Sequence, residues 1–261
     1  MYDAYMRSGE FSYRQTAVGL ALVGTLALAG CSTESEPASE INQPVTTTEQ
    51  IAGPEQYMNH ENIMTTVFWI GEAADASNGF ISNVPTAWDG DASARYGGYD
   101  GSTAPDSSVS DTPRDELGIP LGFQPLHNPY YFALPAAEFN ESGLIPGARE
   151  QSPWASETVA DDESLFKGRW IKITNGDKTV FAQWLDVGPN ETDDYGYVFG
   201  NERPKNTFGL DAGLDVSPAT AKALGFDDGG IAVSWSFVKP EDVADGPWKK
   251  YPPIDNKTHW D

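Results

Sequence analysis

The chain has 261 residues, with 39 Asp and Glu against 16 Lys and Arg, a formal net charge of -23 and a pI of about 4.2. That balance argues against nucleic acid as a partner, because phosphate recognition needs clustered Lys and Arg. A hydrophobic fraction of 39% with 21% charged residues supplies a core, and 26 Gly with 19 Pro favour turns and short strands over a bundle of long helices.

From Thr16 to Gly30 the chain reads TAVGLALVGTLALAG, preceded by Arg7 and Arg14. This run is too short to span a bilayer and has the make-up of a signal peptide. It ends in Leu28-Ala29-Gly30-Cys31, which resembles a bacterial lipobox, so Cys31, the single cysteine, is expected to be the acylated N-terminus of the mature protein. Ser32 in place of Asp after the cysteine points to the outer membrane in a two-membrane bacterium. Cleavage before Cys31 removes two acidic and two basic residues and leaves the net charge at -23. The acidity is read by default as a solubility feature.

Residues 31–63 are rich in Ser, Thr, Glu and Pro, the composition of a disordered tether. A barrel domain is expected over 64–240, opening with Thr65 to Ile70 as its first strand. Residues 71–120 are polar and full of turn signals, so they read as a long loop insertion. Asp89, Asp91 and Asp100 lie there without the spacing of a twelve-residue calcium loop and read as turn carboxylates.

Beyond Pro129 the pattern tightens. PYYFALP is a short strand; RWIKIT (169–174) and TVFAQWLDV (179–187) form a hairpin across Asn175-Gly176-Asp177. Gly213 to Val216 is another strand, Ser217-Pro218 cap and open a helix that stops at Gly225, and Ile231 to Val238 is the final strand. Alternation puts Trp170, Trp235 and Phe237 in the core. Residues 241–261 read as an extended tail packed through Trp248 and Trp260.

Three segments in order, KTVFAQWLDVGP (178–189), GLDVSPATAKALG (213–225) and GGIAVSW (229–235), resemble the double-psi β-barrel of rare lipoprotein A-like proteins, with its Asp-x-Gly-Pro strand end and its Asp-Leu-Ser segment. The barrel is also similar to those of expansins and glycoside hydrolase family 45. The resemblance is specific over roughly 165–238. Two positions depart from it: Ala133-Leu134-Pro135 lacks a preceding His, and Val187 stands where the family has Arg. An all-β fold follows, a six-stranded double-psi β-barrel with long loops and one short helix.

Glycan cleavage on such a fold needs a carboxyl held protonated and, for inverting hydrolysis, a second to activate water. Asp186, at a strand end beside Trp184 and before Gly188-Pro189, is the first candidate acid. Asp215 matches the Asp of the Asp-Leu-Ser segment, which the resemblance implies lines the groove. Structural roles stand beside both: a turn residue for Asp186, backbone capping for Asp215. Glu138 is a third candidate acid, from the other half of the barrel, with a solvated loop carboxylate as its alternative. Trp88, Tyr130, Tyr131, Trp184, Tyr195 and Tyr197 are candidate sugar-stacking rings.

His60, His127 and His259 show no metal-ligand spacing, no Gly-x-Ser-x-Gly is present, and no cofactor or metal is expected. The expectation is therefore an envelope lipoprotein, held by its lipid, whose partner is a polysaccharide. It either cleaves a β-1,4 cell-wall glycan, peptidoglycan by analogy, as a lytic transglycosylase or glycosidase, or binds glycan without cutting it, as expansins do. A purely structural or protein-binding barrel is the third option.

Overall fold

The computed structural model describes residues 57–74, 76, 81–100, 113–227 and 229–260. The leader, Cys31 and the tether up to residue 56 lie outside the described residues.

Among the described residues eight strands and three short α-helices follow one another: β1 (Asn59–Val67), α1 (Ala92–Tyr96), β2 (Tyr131–Leu134), β3 (Phe139–Asn140), β4 (Gly143–Leu144), β5 (Trp170–Asn175), β6 (Lys178–Val187), α2 (Tyr195–Val198), β7 (Leu214–Val216), α3 (Pro218–Leu224) and β8 (Ile231–Val238). Six of the strands close into a barrel in the order β1-β7-β2-β6-β5-β8, and β3 with β4 forms a separate ribbon. The barrel is mixed: β1 runs parallel to β7 and β2 parallel to β6, while the other neighbours are antiparallel. The fold is all-β as expected, and its topology is compatible with a double-psi barrel.

Local chemistry accounts for these elements. The β5–β6 hairpin closes on the Asn175–Lys178 pair, with Gly176 at φ 59 in the left-handed region that glycine adopts without penalty. Helix α3 is capped by the Ser217 hydroxyl, which accepts from the Thr220 amide at 3.1 Å, and ends at Gly225 with φ 94. Alternate residues of every strand fill the barrel, among them Ile171 and Ile173 of β5, Leu214 and Val216 of β7, and Val233, Trp235 and Phe237 of β8.

Three expectations are corrected. Trp170 has the opposite phase to Ile171 and Ile173, so it sits half-buried on the outer face and not in the core. β1 spans Asn59–Val67, not Thr65 to Ile70, and so takes up the end of the expected tether; its first half, NHENI, carries no strand pattern because it is polar and is broken by a register shift between His60 and Ile63 with Asn62 at φ 54. The stretch from 71 to 120 is more than a decorated loop. It contributes fully buried Trp88, edge-on to Trp184 at 5.9 Å, and Ala92 and Tyr96 of α1, which join Phe68, Tyr131, Ala133 and Leu185 in a second apolar layer on the outer face of the barrel. These few apolar residues are too irregularly spaced to give a periodic signal.

The tail docks along the outside of β6. Trp248 is buried against Phe181 and Tyr130, and the Gln183 side chain both donates to and accepts from the Ile254 backbone. Trp260 meets the edge of Phe139 but keeps 40% of its surface exposed.

Candidate active site

β6 carries one residue more than its partner. Phe132 pairs with Trp184, yet Ala133 pairs with Asp186, which leaves Leu185 as an extra residue opposite β2. Strict alternation from the inward Trp184 would send Asp186 into the barrel. The extra residue instead turns it outward, onto the face that already carries Ala133 and Leu185, as bulges do beside functional sites.

The register then aligns four residues across four strands. Thr66 of β1 pairs with Asp215 of β7, Asp215 with Ala133 of β2, and Ala133 with Asp186 of β6. The two aspartates are thus separated by one strand, about 10 Å of backbone. Only a methyl group stands between them. They meet in one cleft of about 520 Å³, with Ala133, Thr66, Gly188 and Pro189 also in its lining.

The two carboxyls are held differently. Oδ1 of Asp186 accepts hydrogen bonds from the Ala87 amide at 2.7 Å and the Val187 amide at 2.8 Å, and the residue lines the cleft. The Trp184 indole donates to the Asp186 carbonyl at 2.8 Å and fixes the backbone from the interior. Asp215 is half-buried and accepts at Oδ1 from the Thr66 hydroxyl. Burial pushes Asp186 up to about 7, against the pull of its two amides and with a further push from the Asp215 charge. Burial likewise raises Asp215 to about 6, against the pull of Thr66. Both carboxyls are thus raised above the ordinary range, and the charge of Asp215 pushing on Asp186 favours a state in which the pair shares one proton, an acid and a base at once.

The walls of the cleft are apolar. Half-buried Trp69 and exposed Ile81, Phe208 and Leu210 line it, the last three with 40%, 45% and 50% of their surface exposed respectively. Glu72 and Asp227 add two further carboxylates.

The other candidates lie elsewhere. Glu138 is fully buried, pairs with Arg149 at 2.5 Å, and accepts from the Ser164 hydroxyl and the Leu165 amide, so its oxygens are saturated and away from the cleft. It is a buried structural carboxylate in the β2–β3 connection, not a solvated one. Trp88, Tyr130, Tyr131, Trp184 and Tyr197 are all buried, and none lines the cleft. Tyr131 is bonded to Asp100, Tyr197 takes the Trp235 indole, and Tyr195 donates to the Ala137 carbonyl at 2.8 Å. Stacking on sugar is closed to the five buried rings. The solvent-accessible rings that line the cleft are instead Trp69 and Phe208, and the available signal was position alone: Trp69 lies just past the end of β1, and Phe208 in a loop beside Gly209.

The insertion's aspartates are turn and ion-pair residues, Asp89 with Arg95 at 2.9 Å and Asp100 with Arg114 at 2.7 Å. Among the described residues no group of three or more His, Cys, Asp or Glu is placed to hold a metal ion. No protein-family model matches the chain, and no curated protein matches it.

Proposed function

We propose that this chain acts on a β-1,4-linked glycan of the cell-wall type, peptidoglycan by analogy with the rare lipoprotein A-like and expansin-like double-psi barrels it resembles. One observation carries the reading: Asp186 and Asp215 open onto one cleft from a single row of the barrel, with Asp186 titrating about 7.

Protonated Asp186 donates its proton to the glycosidic oxygen as the bond to the anomeric carbon breaks. In inverting hydrolysis, ionised Asp215 takes a proton from the attacking water. In lytic transglycosylation, a hydroxyl of the same sugar attacks the anomeric carbon and gives its proton to the acid/base. The Ala87 and Val187 amides keep Asp186 in place through both states, since Oδ1 accepts from them whether or not Oδ2 carries the proton.

A non-catalytic glycan-binding module is the second reading, and the exposed apolar walls at Phe208 and Leu210 favour it equally. Incubating the full chain with peptidoglycan and with cellulose, and measuring both pelleting and released sugars, separates the two. Cleavage predicts that Asp186→Asn abolishes release and spares pelleting; pelleting with no release from the unaltered protein leaves the binding module. The lipobox-like segment supports a lipid-anchored place in the cell envelope, and Cys31→Ala is expected to abolish processing and membrane fractionation.

A further inference from the structure

We infer that the cleft selects glycan segments free of anionic groups, accepting neutral sugars and favouring those that carry a hexosamine ammonium. This rests on the reading of the cleft as a glycan site and narrows its substrate class.

The lining supplies charge of one sign. Asp186, Asp215, Glu72 and Asp227 face the cleft, and no Lys, Arg or His is among the described lining residues. Position 75 and stretches 77–80, 101–112 and 228, which lie outside the described residues, contain none in sequence either. The two central carboxylates are held without cations. Asp186 is bonded to two backbone amides and Asp215 to the Thr66 hydroxyl, so neither charge is cancelled when it forms. Asp227 does pair with Lys222 at 2.8 Å, but both groups are largely exposed and water weakens the pair.

A uronate or a free lactyl carboxylate laid over this floor would add a like charge in a partly desolvated site, which disfavours binding strongly. An ammonium on the same scaffold would find the carboxylates as its only charged partners. The walls act without regard to charge: Trp69 and Phe208 offer flat faces to sugar C–H groups, and Leu210 and Ile81 can cover an acetamido methyl.

Titration calorimetry on the full chain near neutral pH tests this with three β-1,4 oligomers of equal length: N-acetylglucosamine, its de-N-acetylated form, and glucose oxidised at C6 to glucuronate. Affinity is expected to fall in the order ammonium, neutral, uronate, with about tenfold or more between neutral and uronate at low ionic strength. Added salt should compress the series. Asp227→Lys, at an exposed rim position, should raise uronate affinity several-fold and lower that of the ammonium oligomer. Equal affinity for the neutral and uronate oligomers overturns the selectivity and leaves the glycan reading standing. Absence of binding by all three overturns both.

Discussion

The Ala87 amide donates a 2.7 Å hydrogen bond to Oδ1 of Asp186, joining the 71–120 insertion to the strand that carries the candidate acid. The insertion thereby contributes to burying the carboxyl and supplies one of the two donors that fix it. Its Trp88 meets the Trp184 ring, whose indole secures the same aspartate from the inner side. Residues that look like surface decoration in the sequence thus bear on the carboxyl's environment, the Ala87 amide favouring its ionised form against the burial that raises it.

Asp186→Asn should stabilise the fold at alkaline pH while removing sugar release. A carboxyl raised from 3.8 to about 7 binds its proton more tightly in the folded chain than in the unfolded one. Its favourable contribution is complete below about 4 and is lost as pH rises through about 7. The amide oxygen of Asn accepts the same two N–H groups without that loss. Thermal melts of the two proteins should therefore converge near pH 4, separate as pH rises to about 7, and differ above it by about 4 kcal/mol. Melts that differ by the same amount at both pH values would falsify the raised titration.

Thr66→Val should move the site's pH dependence. The Thr66 hydroxyl favours the ionised form of Asp215 and holds its titration down to about 6. Without that donor, the carboxyl keeps its proton to higher pH. The acidic limb of the pH–rate profile, where the base is lost, is expected to shift upward by about one unit. Thr66→Ser should restore the original limb.

Ala133→Leu tests the geometry of the row. The methyl of Ala133 lies between the two aspartates, at the floor of the cleft. A larger side chain there fills the space where a sugar must approach both carboxyls. Cleavage should fall by more than about tenfold, accompanied by a packing cost of about 1–3 kcal/mol. Retained cleavage by a folded Ala133→Leu protein would remove Asp215 from the mechanism.

Glu138→Gln should separate stability from chemistry. The buried carboxylate pairs with Arg149 and is bonded to Ser164 and Leu165, so neutralising it leaves the guanidinium unmatched. A loss of about 3 kcal/mol in urea unfolding is expected, with unchanged turnover per folded molecule.

The later strands and α3 were legible because each is marked at both ends: Asn175-Gly176 turns the hairpin, Ser217 caps the helix, Gly225 stops it, and Val233, Trp235 and Phe237 alternate cleanly. β1 was less so, since its polar half pairs through the backbone and its two register partners are distant in sequence. Asp186 and Asp215 were found through the Asp-x-Gly-Pro and Asp-Leu-Ser resemblance. Their juxtaposition depends on pairing with Ala133, which local pattern does not encode. The stacking rings were misjudged for a related reason. Aromatic residues near strand ends serve a barrel this rich in rings as core, and exposure at Phe208 is decided by a loop with no periodicity.

The unpaired Leu185 makes the site vulnerable to a change of length, not of composition. Inserting one residue between Phe132 and Ala133 would give Leu185 a partner, restore even pairing between β2 and β6 and, by strict alternation from Trp184, rotate Asp186 toward the apolar interior occupied by Trp184 and Phe132. The acid would vanish from the cleft although every candidate residue remained in the chain. A descendant of this barrel could thus lose the cleft-facing carboxyl through a three-nucleotide insertion in β2, with the segment that carries the aspartate itself unchanged.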